Sequence, residues 1–180
     1  MSFALRLKTM ILALTFSFPA GASDIDRPVI YSVYGSDIMV RLARMHAHPD
    51  RDGPSGILIV ALYGRTPGYV VCRFSDKGAT LLCEAIAGRY PPKPGTATPA
   101  MSSAIEEGLK KAGYYRDADG RALFPYKITL DSGVLGGAAV VILTPLIDVF
   151  GARARSRIDI IAPLAPERDE AAIERELRRQ

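Results

Sequence analysis

Hydrophobic and polar positions change period several times along the chain, and each change marks an element boundary. An apolar run from Met10 to Phe18 is broken at Pro19. From residue 36 the spacing is helical: Ser36 stands as an N-cap, and Ile38, Leu42 and Met45 fall on one side of a short helix over 36–45. Residues 46–56 are polar, carry Pro49, Gly53 and Pro54, and read as a loop. A compact β run follows over 57–63. Thr66-Pro67-Gly68 turns the chain, with Gly68 expected to take the positive φ that follows proline in such turns. A second strand over 69–74, a turn at Asp76-Lys77-Gly78 and a third strand over 79–86 complete an antiparallel meander.

Four prolines (Pro91, Pro92, Pro94 and Pro99) exclude regular structure from 89–99. Ser102 or Ser103 caps a helix reaching residue 112, with Gly113 in the C-terminal position. Asp117-Ala118-Asp119-Gly120 is a turn, and 124–130 a fourth strand. Residues 134–150 form an apolar helix, interrupted by Pro145 and ended by Gly151. Its apolar stretch, 134–147, is shorter than the roughly twenty residues a bilayer requires, so it reads as a core helix. A short strand over 157–161 and a charged helix over 167–179 close the chain. The order α-β-β-β-α-β-α-β-α predicts an α+β fold, with helices packed on an antiparallel sheet.

The first 22 residues differ in kind from the rest. Arg6 and Lys8 give a positive start, the apolar run follows, and Ala20-Gly21-Ala22 supplies a small-x-small cleavage pattern. The expectation is a cleavable signal peptide over 1–22 and one exported domain over 23–180, periplasmic or secreted, without stable membrane insertion. Cleavage changes the charge picture. The whole chain carries 23 basic and 19 acidic residues; removing Arg6 and Lys8 leaves 21 against 19, a net charge of +2. The dense basic clusters Arg153/Arg155/Arg157 and Arg175/Arg178/Arg179 lack a one-signed surface, since Glu170, Glu174 and Glu176 interleave with the second. Nucleic acid is therefore not an expected partner.

An oxidising compartment gives the two cysteines meaning. If Lys77 and Gly78 centre the second hairpin, Cys72 faces Cys83, and Val70, Cys72 and Phe74 share an apolar face with Leu81, Cys83 and Ala85. A Cys72–Cys83 disulfide is expected, against the alternative of two buried thiols behaving as small hydrophobes. A strict two-residue turn would set the pair at a hydrogen-bonded position, which suits a bridge less well; a longer turn reverses that parity.

No constellation carries chemistry. His46, His48, Asp50 and Asp52 lie in one proline-glycine loop without a remote ligand, so no metal is expected. Asp117 and Asp119 begin like a calcium loop but lack its closing glutamate. Ser36 and Ser132 lack a nucleophile elbow, and Gly133-Val-Leu-Gly-Gly137 lacks the lysine of a phosphate loop. No catalytic residue and no cofactor are assigned. An enzyme would have to use a dispersed carboxylate pair, and would show a pocket lined by carboxylates of raised pKa.

Four segments resemble one family. Tyr69-Val-Val-Cys-Arg-Phe74 and Leu81-Leu-Cys-Glu-Ala-Ile86 resemble the paired strands of the TY-chaperone superfamily, which gathers type III secretion chaperones and YbjN-like proteins. Leu109-Lys-Lys-Ala-Gly-Tyr114 is similar to that family's leucine-glycine-tryptophan helix end, and Leu143-Thr-Pro-Leu-Ile-Asp-Val-Phe-Gly151 to its aspartate-valine-phenylalanine-glycine helix. Tyr114 replaces the tryptophan, and Ala87-Gly88 stands where the family often has serine-asparagine. The resemblance spans about residues 57–163. It implies a non-enzymatic domain that binds a peptide or protein, often as a homodimer. The rivals are a small hydrolase-type enzyme and an envelope structural or adaptor protein.

Overall fold

The computed structural model describes residues 26–94, 101–127 and 132–166. The signal segment expected over 1–22, the charged helix expected over 167–179 and residues 128–130 of the expected fourth strand lie outside the described residues.

The first helix, α1 (Asp26–Ala47), starts ten residues before Ser36, which sits inside it rather than capping it. The apolar stripe explains why. Ile30 extends the side formed by Ile38, Leu42 and Met45, and all four are fully buried. Asp26 opens the helix and accepts a hydrogen bond from Ala154 N–H at 2.9 Å, and Pro28 suits the first turn because its missing N–H has no helical partner there. The helix also extends to Ala47, so His46 belongs to its last turn and not to a solvated loop. His46 lies edge-on to Phe74, and its Nε2 is 3.1 Å from Gly78 O.

Among the described residues six strands follow: β1 (Ile57–Tyr63), β2 (Gly68–Ser75), β3 (Thr80–Ala87), β4 (Tyr115–Arg116), β5 (Ala122–Lys127) and β6 (Arg157–Ile161). They form one sheet in the order β4-β5-β3-β2-β1-β6, and every neighbouring pair is antiparallel. With α2 (Ser103–Lys111) and α3 (Ser132–Asp148) the class is α+β, as expected. Strand β4 was not legible, because two residues cannot show a period. Strand β5 begins at Ala122, two residues before the expected start at 124.

The β2–β3 register pairs Cys72 with Cys83, and their Sγ atoms stand at disulfide distance. Ser75 and Thr80 form the last pair, so the connection has four residues, 76–79, instead of two. That length reverses the parity. The Cys72 and Cys83 Cα atoms are 4.0 Å apart, the close spacing of a non-hydrogen-bonded pair. Asp76, Lys77 and Gly78 all take positive φ. Arg51 supports this turn by donating to Lys77 O at 3.1 Å and to His46 O at 3.0 Å, so it ties the turn to the end of α1. Gly68, by contrast, does not serve the first turn with a positive φ; it is the first residue of β2. A Cβ there would overlap the Phe150 ring, so glycine lets the end of α3 close onto the sheet.

Leu58, Val60, Val70, Cys72, Leu81, Cys83 and Ala85 make the core face, beneath α1 and α3. The two helices run antiparallel: Arg27 pairs with Asp148, Tyr31 hydroxyl is 3.0 Å from Thr144 Oγ1, and Met39 lies beside Gly136. On the other face Ile59, Ala61 and Tyr69 form a smaller cluster, partly covered by Tyr90, whose carbonyl accepts from the Tyr63 hydroxyl at 3.2 Å.

Pro145 does not interrupt α3, which runs through it to Asp148. Proline lacks the N–H that would satisfy the carbonyl four residues back, that of Val141. The Tyr114 hydroxyl fills the gap, donating to Val141 O at 3.2 Å. Among the described residues no helix is long and apolar enough to cross a membrane, and Ala138, Ile142, Leu143, Leu146 and Ile147 of α3 are buried in the core.

Two measurements check this account. No free thiol is expected in denaturant without reductant, and reducing the Cys72–Cys83 bridge should lower unfolding free energy by about 2–3 kcal/mol; two titratable thiols would contradict it. Tyr114→Phe should cost about 1–3 kcal/mol in urea unfolding, because it orphans a buried carbonyl. An unchanged midpoint would show that the Val141 carbonyl needs no partner.

Candidate functional site

The residues after β3 build a groove at one end of the sheet. Ser102 caps α2, its Oγ accepting from Ile105 N–H at 3.4 Å. Leu109 turns the apolar side of α2 into the core, and Gly108 lets the helix approach Val149 of the segment after α3. Gly113 ends the helix at φ 90°, and Tyr114 N–H returns to Leu109 O at 2.9 Å. Tyr114 then drops into the interior, 5.4 Å from the Phe124 ring between centroids. Burial pushes its hydroxyl well above the usual phenol range, so it stays a neutral donor to Val141 O.

Between α2 and the β4–β5 edge lies a depression of about 550 Å³. Met101, Leu109, Tyr114 and Ala122 give it an apolar floor; Glu106, Glu107, Lys110 and Arg116 form a charged rim. Tyr115, the exposed aromatic of β4, stands at its edge. Arg116 Nη1 is 2.7 Å from Glu106 Oε1, an ion pair that spans the groove from β4 to α2.

A second depression of about 360 Å³ shares Met101, Arg116 and Ala122 with the first. It exists because β5 starts late. Ala122 pairs with Ala85, and Ile86 and Ala87 of β3 run on beyond the end of β5. Glu84, Asp119, Gly120 and Arg121 complete its lining.

Glu84 is the one carboxylate in the apolar run of β3, on the face opposite Cys83 and Ala85. Desolvation raises its pKa; Arg121 and Arg73 oppose the rise, and Asp117 adds to it. Asp117 is shifted the other way. Its own desolvation would raise it, but hydrogen bonds from Arg121 N–H, the Arg121 guanidinium and Asp119 N–H hold the carboxyl below the usual range. Glu84 in the notch and Asp117 in the adjoining turn are thus shifted in opposite directions.

The residues weighed as metal ligands do not converge. His48 Nδ1 accepts from Asp50 N–H at 3.1 Å, and His46 faces Phe74 and Gly78. Asp117 and Asp119 both bind Arg121, at 2.7 and 3.2 Å, so this turn is closed by a cation of the chain itself. Among the described residues no group of three or more histidine, cysteine, aspartate or glutamate side chains is arranged to hold a metal ion. Sequence reasoning did not single out Tyr115, Arg116 or Glu84 as site residues. Only Glu84 left a signal, as a lone charge in an apolar strand.

The sign of the Glu84 shift gives a pH test. Its folded pKa lies above its unfolded value, so its contribution to stability is present at low pH and is lost as pH rises through the folded pKa. Glu84→Gln should therefore raise the melting temperature at pH 7, and the gain should vanish as pH falls through the carboxylate range. A gain that is constant from pH 3 to about 8 would contradict the assignment.

No protein-family model, curated protein or solved structure matches the chain.

Proposed function

We propose that the protein is an exported, non-enzymatic binding domain that holds a short segment of another polypeptide in the groove between α2 and the β4–β5 edge. One observation carries the reading: an apolar floor opens inside a rim of both charge signs, beside an edge strand. The floor takes apolar side chains, the edge offers backbone partners, and the rim selects by charge. Mixed signs favour protein over nucleic acid, whose phosphates call for a one-signed surface. The TY-chaperone resemblance points the same way. The bonded cysteine pair is compatible with an oxidising compartment.

Glu84 and Asp117 favour a second reading, a small hydrolase-type enzyme, since two carboxyls that interact and are shifted in opposite directions suit an acid and a base. One experiment separates the two. The full chain is screened against fluorescent peptides, for binding and for cleavage, together with Tyr115→Asp and Glu84→Gln. The binding reading expects intact peptides, affinity lowered about tenfold or more by Tyr115→Asp, equivalent to about 1.4 kcal/mol, and little change with Glu84→Gln. Turnover abolished by Glu84→Gln would establish the enzyme instead. Binding indifferent to Tyr115→Asp would remove the groove from the binding account.

A further inference from the structure

The sheet has two edges, and only one of them is guarded. Beside the groove, β4 is two residues long and the Arg116–Glu106 pair lies next to it. At the opposite edge β6 runs five residues in unbroken register with β1, without proline or bulge. A bare edge of this kind is a template for another strand. The hydrogen-bond parity of the sheet shows what β6 offers. Cys72 and Cys83 form a close, non-hydrogen-bonded pair, so Cys72 turns its backbone groups toward Leu58 of β1. Gly88 N–H, bonded to Pro67 O at 2.9 Å, has the parity this requires. Ile59, Ala61 and Tyr63 then turn theirs toward Ile161, Asp159 and Arg157 of β6. Ile158 and Ile160 are left with N–H and C=O pointing outward, and among the described residues neither has a backbone partner there.

We propose that β6 pairs with the β6 of a second copy of this chain, antiparallel about a two-fold axis at Ile158, so that two sheets join into one. Charge fixes the register. Centring the pair on Arg157 or Asp159 would set like charges face to face, and centring it on Ile160 would set Asp159 against Ile161. Centring it on Ile158 places Arg157 opposite the partner's Asp159, and Asp159 opposite the partner's Arg157. These are closely spaced positions, where cross-strand side chains meet. Both side chains are already aligned for it. Arg157 bonds Asp159 along its own strand at 3.0 and 3.1 Å, and its guanidinium lies 5.2 Å from the centre of the Tyr63 ring. In this register Ile158 exchanges both backbone bonds with the partner's Ile158, and Ile160 N–H meets the partner's Ser156 O. Ser156 N–H is spent on Arg153 O at 2.9 Å, which ends the ladder. An interface this short makes a reversible dimer.

Charge reversal tests both the surface and the register. In sedimentation of the full chain, monomer and dimer should interconvert with concentration. Arg157→Asp and Asp159→Arg should each weaken dimerisation about tenfold or more, since each sets like charges across the axis. An equimolar mixture of the two variants should dimerise again, one chain of each, although neither keeps the ion pair within its own strand. A chain with both substitutions should pair with itself and not with wild type, which keeps the test valid should either single variant misfold. A wild-type chain that stays monomeric would overturn the proposal. Dimers indifferent to both reversals would place the interface elsewhere and overturn it equally, as would a mixture of folded variants that stays monomeric.

Discussion

Pro145 leaves the Val141 carbonyl without its helical partner, and Tyr114 supplies the missing hydrogen bond from outside the helix. Much of the molecule is arranged around that exchange. It lets α3 continue as one apolar rod across the core face of the β2–β3 hairpin, with Phe150 seated where Gly68 has no side chain. It also fixes the end of α2, because Tyr114 follows Gly113 directly and can reach Val141 only if the chain turns inward there. The groove lies beside this contact, between α2 and the β4–β5 edge, and Tyr114 forms part of its floor. A structural repair and the floor of a binding site are the same side chain.

The central hairpin is held by the same kind of long-range tie. A four-residue turn with three positive φ values is a poor choice for isolated strands, and Lys77 in particular gains nothing locally from that conformation. Arg51 accounts for it by binding Lys77 O and His46 O together, so the turn is shaped by the end of α1. The consequence reaches the cysteines. The longer turn shifts the ladder by one step in parity and brings Cys72 and Cys83 to the close, non-hydrogen-bonded spacing.

The groove itself follows from a mismatch of strand lengths. β3 outruns β5 by two residues, β4 pairs with only two, and the sheet ends in a notch instead of a straight edge. Edges of this kind invite pairing with other chains unless charge or coverage blocks them. Here the Arg116–Glu106 pair lies across the opening, an ion pair exposed enough to exchange partners at little cost.

What the sequence determined by itself is whatever depends on neighbours along the chain. The α+β class, the meander, the Cys72–Cys83 register, a serine cap at Ser102 or Ser103 and the Gly113 stop were all legible, because period, turn residues and caps are local. Among the local signals that misled, Ser36 looked like a helix start and Pro145 like an interruption. Each was overruled by a contact distant in sequence, Asp26 with Ala154 in the first case and Tyr114 with Val141 in the second. The groove was wholly a tertiary result. Met101, Glu106, Tyr115, Arg116 and Ala122 belong to separate elements, and nothing in their spacing announces that they meet. Only tertiary packing brings them together, with Leu109 buried in the core and Tyr114 tied to Val141 of α3.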